Sequence, residues 1–143
     1  MASKEYFKGI NKIQFEGKNS DNPMAFKYYN PDQLVAGKTM REHFKFSIAY
    51  WHTFCGQGSD PFGPGTQSFG WDTSTDAVQA AKDKADAAFE FINKMGFDYF
   101  CFHDYDLIQE GATFAESEKR LDTITDYIKG KQAESGVKLL WGT

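Results

Sequence analysis

The chain has 143 residues, enough for one domain that buries a core. Its net charge of −4 carries no basic block, which argues against a phosphate-tracking surface and a nucleic-acid partner. No apolar run is long enough to span a membrane, residues 1–14 lack the apolar centre of a signal peptide, and the two cysteines, Cys55 and Cys101, read as reduced thiols, so a cytoplasmic protein is expected.

Residues 1–38 read as an N-terminal arm, punctuated by Gly17-Lys18-Asn19-Ser20-Asp21-Asn22-Pro23 and Asn30-Pro31-Asp32, with a short strand or hairpin expected over residues 10–15. Residues 39–143 read as strand–helix units. Thr39-Met40-Arg41-Glu42 has the capping-box spacing of a short helical turn. Phe44, Phe46, Ile48 and Tyr50 then alternate with other residues, which predicts a strand to about Phe54; a continuous helix from Thr39 is the competing reading. Residues 56–70 hold five glycines and two prolines, a loop long enough to suggest a function. Val78, Ala81, Ala85, Phe89 and Ile92 recur at helical steps between a cap at Asp76 and a stop at Gly96. Tyr99-Phe100-Cys101-Phe102 follows as a short buried strand. Thr113-Phe114-Ala115-Glu116 is a second capping box, opening a helix through Leu121, Ile124 and Ile128 to Gly136, and Val137-Lys138-Leu139-Leu140-Trp141 is a third strand. Alternation of this kind predicts an α/β fold with a parallel sheet. Three strands and two crossover helices leave open edges, so the fold is expected to be incomplete at the C-terminus.

In such folds reactive groups gather at the C-terminal ends of strands. The three strand ends carry Trp51-His52-Thr53, His103-Asp104-Tyr105-Asp106 and Trp141-Gly142-Thr143. Aromatic rings beside imidazole, carboxylate and hydroxyl groups suit a polyhydroxy ligand: the rings stack on C–H faces and the polar groups bond hydroxyls. His103 is the sharpest candidate, because Asp106 can fold back in a tight turn and fix its tautomer for acid–base work. An ordinary surface histidine in a polar turn is the bland alternative, and a metal set of His103, Asp104 and Asp106 ranks below the acid–base reading. His43 is expected to face solvent, and His52 to take a supporting role at a strand end. Trp51 and Trp141 could each be plain core rings, whereas Phe62, in Asp60-Pro61-Phe62-Gly63, lacks a local core and is expected to insert into something. The string Lys82, Asp83, Lys84, Asp86 and the run Glu116, Glu118, Lys119, Arg120 read as solvated helix faces.

Tyr50-Trp51-His52-Thr53-Phe54-Cys55, Asp60-Pro61-Phe62-Gly63, Phe102-His103-Asp104-Tyr105-Asp106 and Leu139-Leu140-Trp141-Gly142-Thr143, in this order, resemble the N-terminal part of the longer-chain class of xylose (glucose) isomerases. The likeness runs from about Glu5 to Thr143 and takes in Lys12-Ile13-Gln14-Phe15-Glu16-Gly17 and Tyr28-Tyr29; Gln109 is a small departure. The resemblance implies the first three strands of a TIM (β/α)8 barrel, an enzyme typically tetrameric, interconverting xylose and xylulose and also acting on glucose. It implies His103 as the ring-opening catalyst and Asp106 as its orienting partner. Trp51 becomes a sugar-stacking ring, Trp141 and Thr143 residues beneath the sugar, and Phe62 a ring reaching a neighbouring subunit's site. It also implies two divalent ions, Mg²⁺, Mn²⁺ or Co²⁺, for a hydride shift. In the family their ligands and a catalytic lysine lie on later strands, so none of these residues is expected to hold metal. The rival readings are a non-catalytic sugar-binding or assembly module that keeps half of the pocket, and a different barrel metalloenzyme with His103 and Asp106 as ligands.

Overall fold

A computed structural model describes residues 4–143; residues 1–3 of the expected arm lie outside the described residues. The elements in chain order are β1 (Leu34–Val35), β2 (Lys38–Thr39), α1 (Met40–His43), β3 (Ser47–Ala49), α2 (Tyr50–Thr53), α3 (Ala77–Met95), β4 (Tyr99–Phe102), α4 (Asp104–Leu107), α5 (Phe114–Ser135) and β5 (Lys138–Gly142). β3, β4 and β5 form an open parallel sheet in that order, with β4 in the centre, so the fold is mixed α/β with no closed barrel.

The two long helices form where caps and apolar spacing predict them. Asp76 accepts the Gln79 N–H at 2.7 Å to open α3, and Gly96, in the left-handed region at φ 73°, closes it. Ala81, Ala85, Ala88, Phe89 and Ile92 make the buried stripe of α3, and Ile124 and Ile128 that of α5. The box that opens α5 is only half formed. Thr113 Oγ1 accepts the Glu116 N–H at 3.2 Å, but the Glu116 carboxylate takes the Ala112 N–H at 2.8 Å, one residue upstream of the cap. Between helices and sheet lies one cluster that includes Tyr50, Phe54, Phe100, Leu107 and Val137.

The strand expected to reach Phe54 is only three residues long. Pairing with β4 stops at Ala49↔Cys101, and the chain then curls into α2, where the Phe54 N–H donates to the Tyr50 carbonyl at 2.8 Å. Both rings are 1% exposed and lie 5.1 Å apart, so burying them together outweighs extending the strand. Trp51 and His52 therefore stand on a helical turn, not on a strand. The strand expected over residues 10–15 is also absent as a regular element; only an isolated bridge joins Phe15 to Phe26. The regular hairpin lies later, at β1–β2, turning through Ala36 and Gly37 with φ of 50° and 81°.

Tyr6 and Phe7 are clamped to the end of α3. The Glu90 carboxylate accepts the N–H groups of Tyr6 (2.7 Å) and Phe7 (3.0 Å), and Lys94 Nζ bridges Glu90 (2.9 Å) and the Phe7 carbonyl (2.6 Å). Burial pushes the Glu90 carboxyl up, but the Tyr6 N–H, Lys94 and the Phe7 N–H outweigh it and hold it below its ordinary value of 4.5. A depressed carboxyl stabilises the fold above its unfolded value and loses that contribution as pH falls through its folded value. Glu90→Gln is thus expected to lower the melting temperature more at about pH 7 than at about pH 3. Equal destabilisation at both pH values would contradict the charged clamp.

Candidate active site

The C-terminal ends of the three parallel strands deliver their residues to one place. Trp51 arrives on α2, His103 at the exit of β4, and Trp141 near the end of β5. The Trp51 ring centre lies 4.6 Å from that of His103 and 5.6 Å from that of Trp141, while His103 and Trp141 are 5.8 Å apart and nearly perpendicular, at 76°. The ring of Tyr105 stacks on His103 at 5.6 Å and 9°. A bulge in β5 shifts its register between Phe100 and Cys101, which sets Trp141 opposite Cys101 and Gly142 opposite Phe102. A Cβ on Gly142 would fall 2.9 Å from the Phe102 ring, so a larger residue here would force that ring to move. Thr143 then locks the strand ends: its N–H donates to the Phe102 carbonyl (3.2 Å) and its carbonyl accepts the Asp104 N–H (2.7 Å).

Asp106 folds back on His103 as its spacing of three suggests. Asp106 Oδ2 accepts the His103 backbone N–H at 2.8 Å and lies 3.0 Å from Nδ1 of the ring. Nδ1–H facing a carboxylate leaves Nε2 as the basic nitrogen. The two partners differ sharply in exposure, 34% for the His103 side chain and 1% for Asp106. The imidazole is therefore open to solvent, while the Asp106 carboxylate stays dry.

Phe62 is not part of this cluster. Asp60 Oδ1 accepts the N–H groups of Phe62 (2.8 Å) and Gly63 (3.1 Å), and this turn holds the ring out at 97% exposure. His43 is exposed, with Nε2 2.8 Å from the Val35 carbonyl, and His52 is exposed beside Trp51. The string expected to be solvated on α3 is corrected: Lys82, Asp83, Lys84 and Asp86 are all half-buried. Asp86 pairs with Lys131 at 2.6 Å and accepts from the Tyr127 hydroxyl at 2.8 Å, and Lys84 is half-buried against Cys55 and the Asp106 carbonyl. Tyr105 was open to prediction, since it lies two residues after His103 in the same turn. The spacing of Lys84 from Ala81 and Ala88 was a local signal for the buried face of α3, but its partners lie 22 or more residues away.

A metal does not fit these residues. Asp106 Oδ2 is engaged by His103, the Asp104 carboxylate accepts the Tyr105 N–H at 2.7 Å, and no group of three His, Cys, Asp or Glu side chains converges among the described residues. At the ring cluster Tyr105 and Trp141 are well exposed. A cleft of about 360 Å³ lies at the opposite ends of the strands, lined by residues that include Lys12, Arg41, Phe46 and Asp98. Leu139, Leu140 and Trp141 leave β5 about 40% exposed, so the site is bare on the β5 side.

Fold and site together define a parallel α/β protein with an aromatic-flanked histidine–aspartate pair at its strand ends. No family model matches the chain. Over all 143 residues it is 57% identical to the xylose isomerases of Bacteroides thetaiotaomicron and Phocaeicola vulgatus, covering 33% of each, and 54% identical to xylose isomerase 2 of Xanthomonas campestris pv. campestris, covering 32%. The chain is homologous along its whole length to the xylose isomerase family, and it spans about a third of the length of the curated relatives it matches.

Proposed function

We propose that these residues form the ring-opening half of the active site of an aldose–ketose isomerase, one that interconverts D-xylose and D-xylulose and also glucose and fructose. The observation that carries the reading is the His103–Asp106 pair set between Trp51 and Trp141, in a chain 57% identical to xylose isomerases. A cyclic aldose must open before its carbonyl can migrate. In opening, the proton of the anomeric hydroxyl leaves O1, the C1–O5 bond breaks, and O5 gains a proton. His103 Nε2 takes the first proton and returns it to O5, while Asp106 holds Nδ1–H and stabilises the transient imidazolium. Trp51 and Trp141 offer faces to the C–H side of the sugar, and Thr143 lies beneath it.

When bound, two divalent ions (Mg²⁺, Mn²⁺ or Co²⁺) would supply the Lewis-acid polarisation that a hydride shift between carbons needs. Their ligands belong to sequence outside these residues. In this reading residues 1–38 are an arm, residues 39–143 are the first three strand–helix units of a TIM barrel, and the bare β5 edge takes the next strand. Phe62, almost fully exposed, reaches the site of a neighbouring subunit in a cytoplasmic tetramer. The test is xylulose formation by the whole protein that carries this segment, before and after chelation of divalent ions. Activity is expected to vanish with the ions and return on adding Mg²⁺, Mn²⁺ or Co²⁺. Undiminished activity after chelation, or none with any of the three, would contradict the assignment.

A further inference from the structure

The turn that carries Asp106 has a second anchor, on the side away from the sugar. α4 is a single turn, Asp104–Leu107, too short to bond its own last carbonyls. The Asp106 carbonyl is instead taken by two donors from other elements. Lys84 Nζ reaches it from the middle of α3, and Cys55 Sγ lies 3.4 Å from it, just past α2. Nζ and Sγ are themselves 3.6 Å apart. Burial pushes the Cys55 thiol up against the opposing pull of the Lys84 ammonium, so the thiol keeps its proton and donates. A thiol is a weak donor, and the ammonium is the strong one.

The carboxylate end of the same residue gives an independent reason for a cation. Asp106 is 1% exposed; Oδ2 is engaged by His103, but Oδ1 is buried with no partner among the described residues. A dry carboxylate with one bare oxygen is tolerated where a positive charge stands close. Lys84 puts an ammonium on the main chain of that residue, and no such role follows from its place in a charged string on α3.

We propose that Lys84 is a positioning residue for His103, acting through Asp106: it fixes the turn from behind, so that Oδ2 meets Nδ1 and Nε2 is held as the basic nitrogen. The inference rests on the ring-opening reading of His103. A shift of about 1 Å in a catalytic group can cost about 10²-fold in rate, so a loosened turn is enough to matter.

The test measures kcat and KM for D-xylose in the whole enzyme carrying Lys84→Met, Asp106→Asn or both, together with the ¹⁵N spectrum of the His103 ring. Lys84→Met is expected to lower kcat about tenfold with little change in KM, and to turn an Nδ1-protonated ring into a mixture of tautomers. The double variant is expected to be no slower than Asp106→Asn alone, because both changes break one chain of contacts. Lys84→Arg, which keeps a cationic donor, is expected to recover most of the rate and the parent spectrum. Should Lys84→Met not fold, Lys84→Gln takes its place with the same expectations. If the two losses multiply in the double variant, or the tautomer is unchanged without Lys84, the inference is overturned while the ring-opening reading stands. Full activity in Asp106→Asn overturns both.

Discussion

Replacing His103 with alanine is expected to lower kcat for D-xylose by about 10²-fold or more, the range assigned to a positioned acid–base group. KM should change far less, because in the proposed reading the sugar still has the faces of Trp51 and Trp141 to stack on. The fold should survive. The His103 side chain is one-third exposed, and Asp106 Oδ2 keeps the backbone N–H of residue 103 at 2.8 Å. The loss of the ring partner from a buried carboxylate costs about 1–3 kcal/mol, which circular dichroism melts of the variant would register separately from its rate. A variant that is stable and slow matches the account; one that is stable and fully active contradicts it.

The second large effect concerns the strand beneath the histidine. Phe100 is 0% exposed at the centre of the sheet, with ring centres 5.3 Å from Phe89, 5.9 Å from Tyr50 and 5.9 Å from Phe102. Phe100→Ala is expected to destabilise the protein by about 3–5 kcal/mol, through lost burial and the cavity left behind. That is a large share of the net stability of a typical domain, about 5–15 kcal/mol, so activity should fall at temperatures the parent tolerates. The denaturant midpoint at unchanged slope is the measurement. Phe44→Ala is the control: that ring is 50% exposed, and a loss well under that of Phe100→Ala is expected. Equal losses would contradict the placement of the core.

What could be read in the sequence follows from the range of the forces involved. Asp76, Gly96, Thr113 and Gly136 act within a turn or two of their own positions, so both long helices were legible with their ends. The His103–Asp106 pair was legible for the same reason, since a spacing of three closes within one turn. The strand through residues 44–54 was not. Its alternation was genuine, but a strand needs a neighbour, and β4 offers partners only from Ser47 to Ala49. Tyr50 and Phe54, four apart and both buried, have the helical spacing that marks the turn. The β1–β2 hairpin was missed because its turn is Ala36-Gly37 in place of the Asn-Gly or Asp-Gly that marks such turns, with alanine accepting a positive φ. Lys84 was half legible. Three residues after Ala81 and four before Ala88, it shares the buried face of α3, but the carbonyl it meets there, on α4, is a property of the fold.

The central claim is that His103 opens the sugar ring, and it is tested most directly by a substrate that has no ring to open. Turnover of D-xylose and of glyceraldehyde, an aldose too short to close on itself, would be compared in the whole enzyme and in its His103→Ala variant. kcat/KM is expected to fall about 10²-fold for xylose and to stay near the parent value for glyceraldehyde. Equal losses on both substrates would contradict the claim, because the histidine would then serve the isomerisation itself and not the opening of the ring.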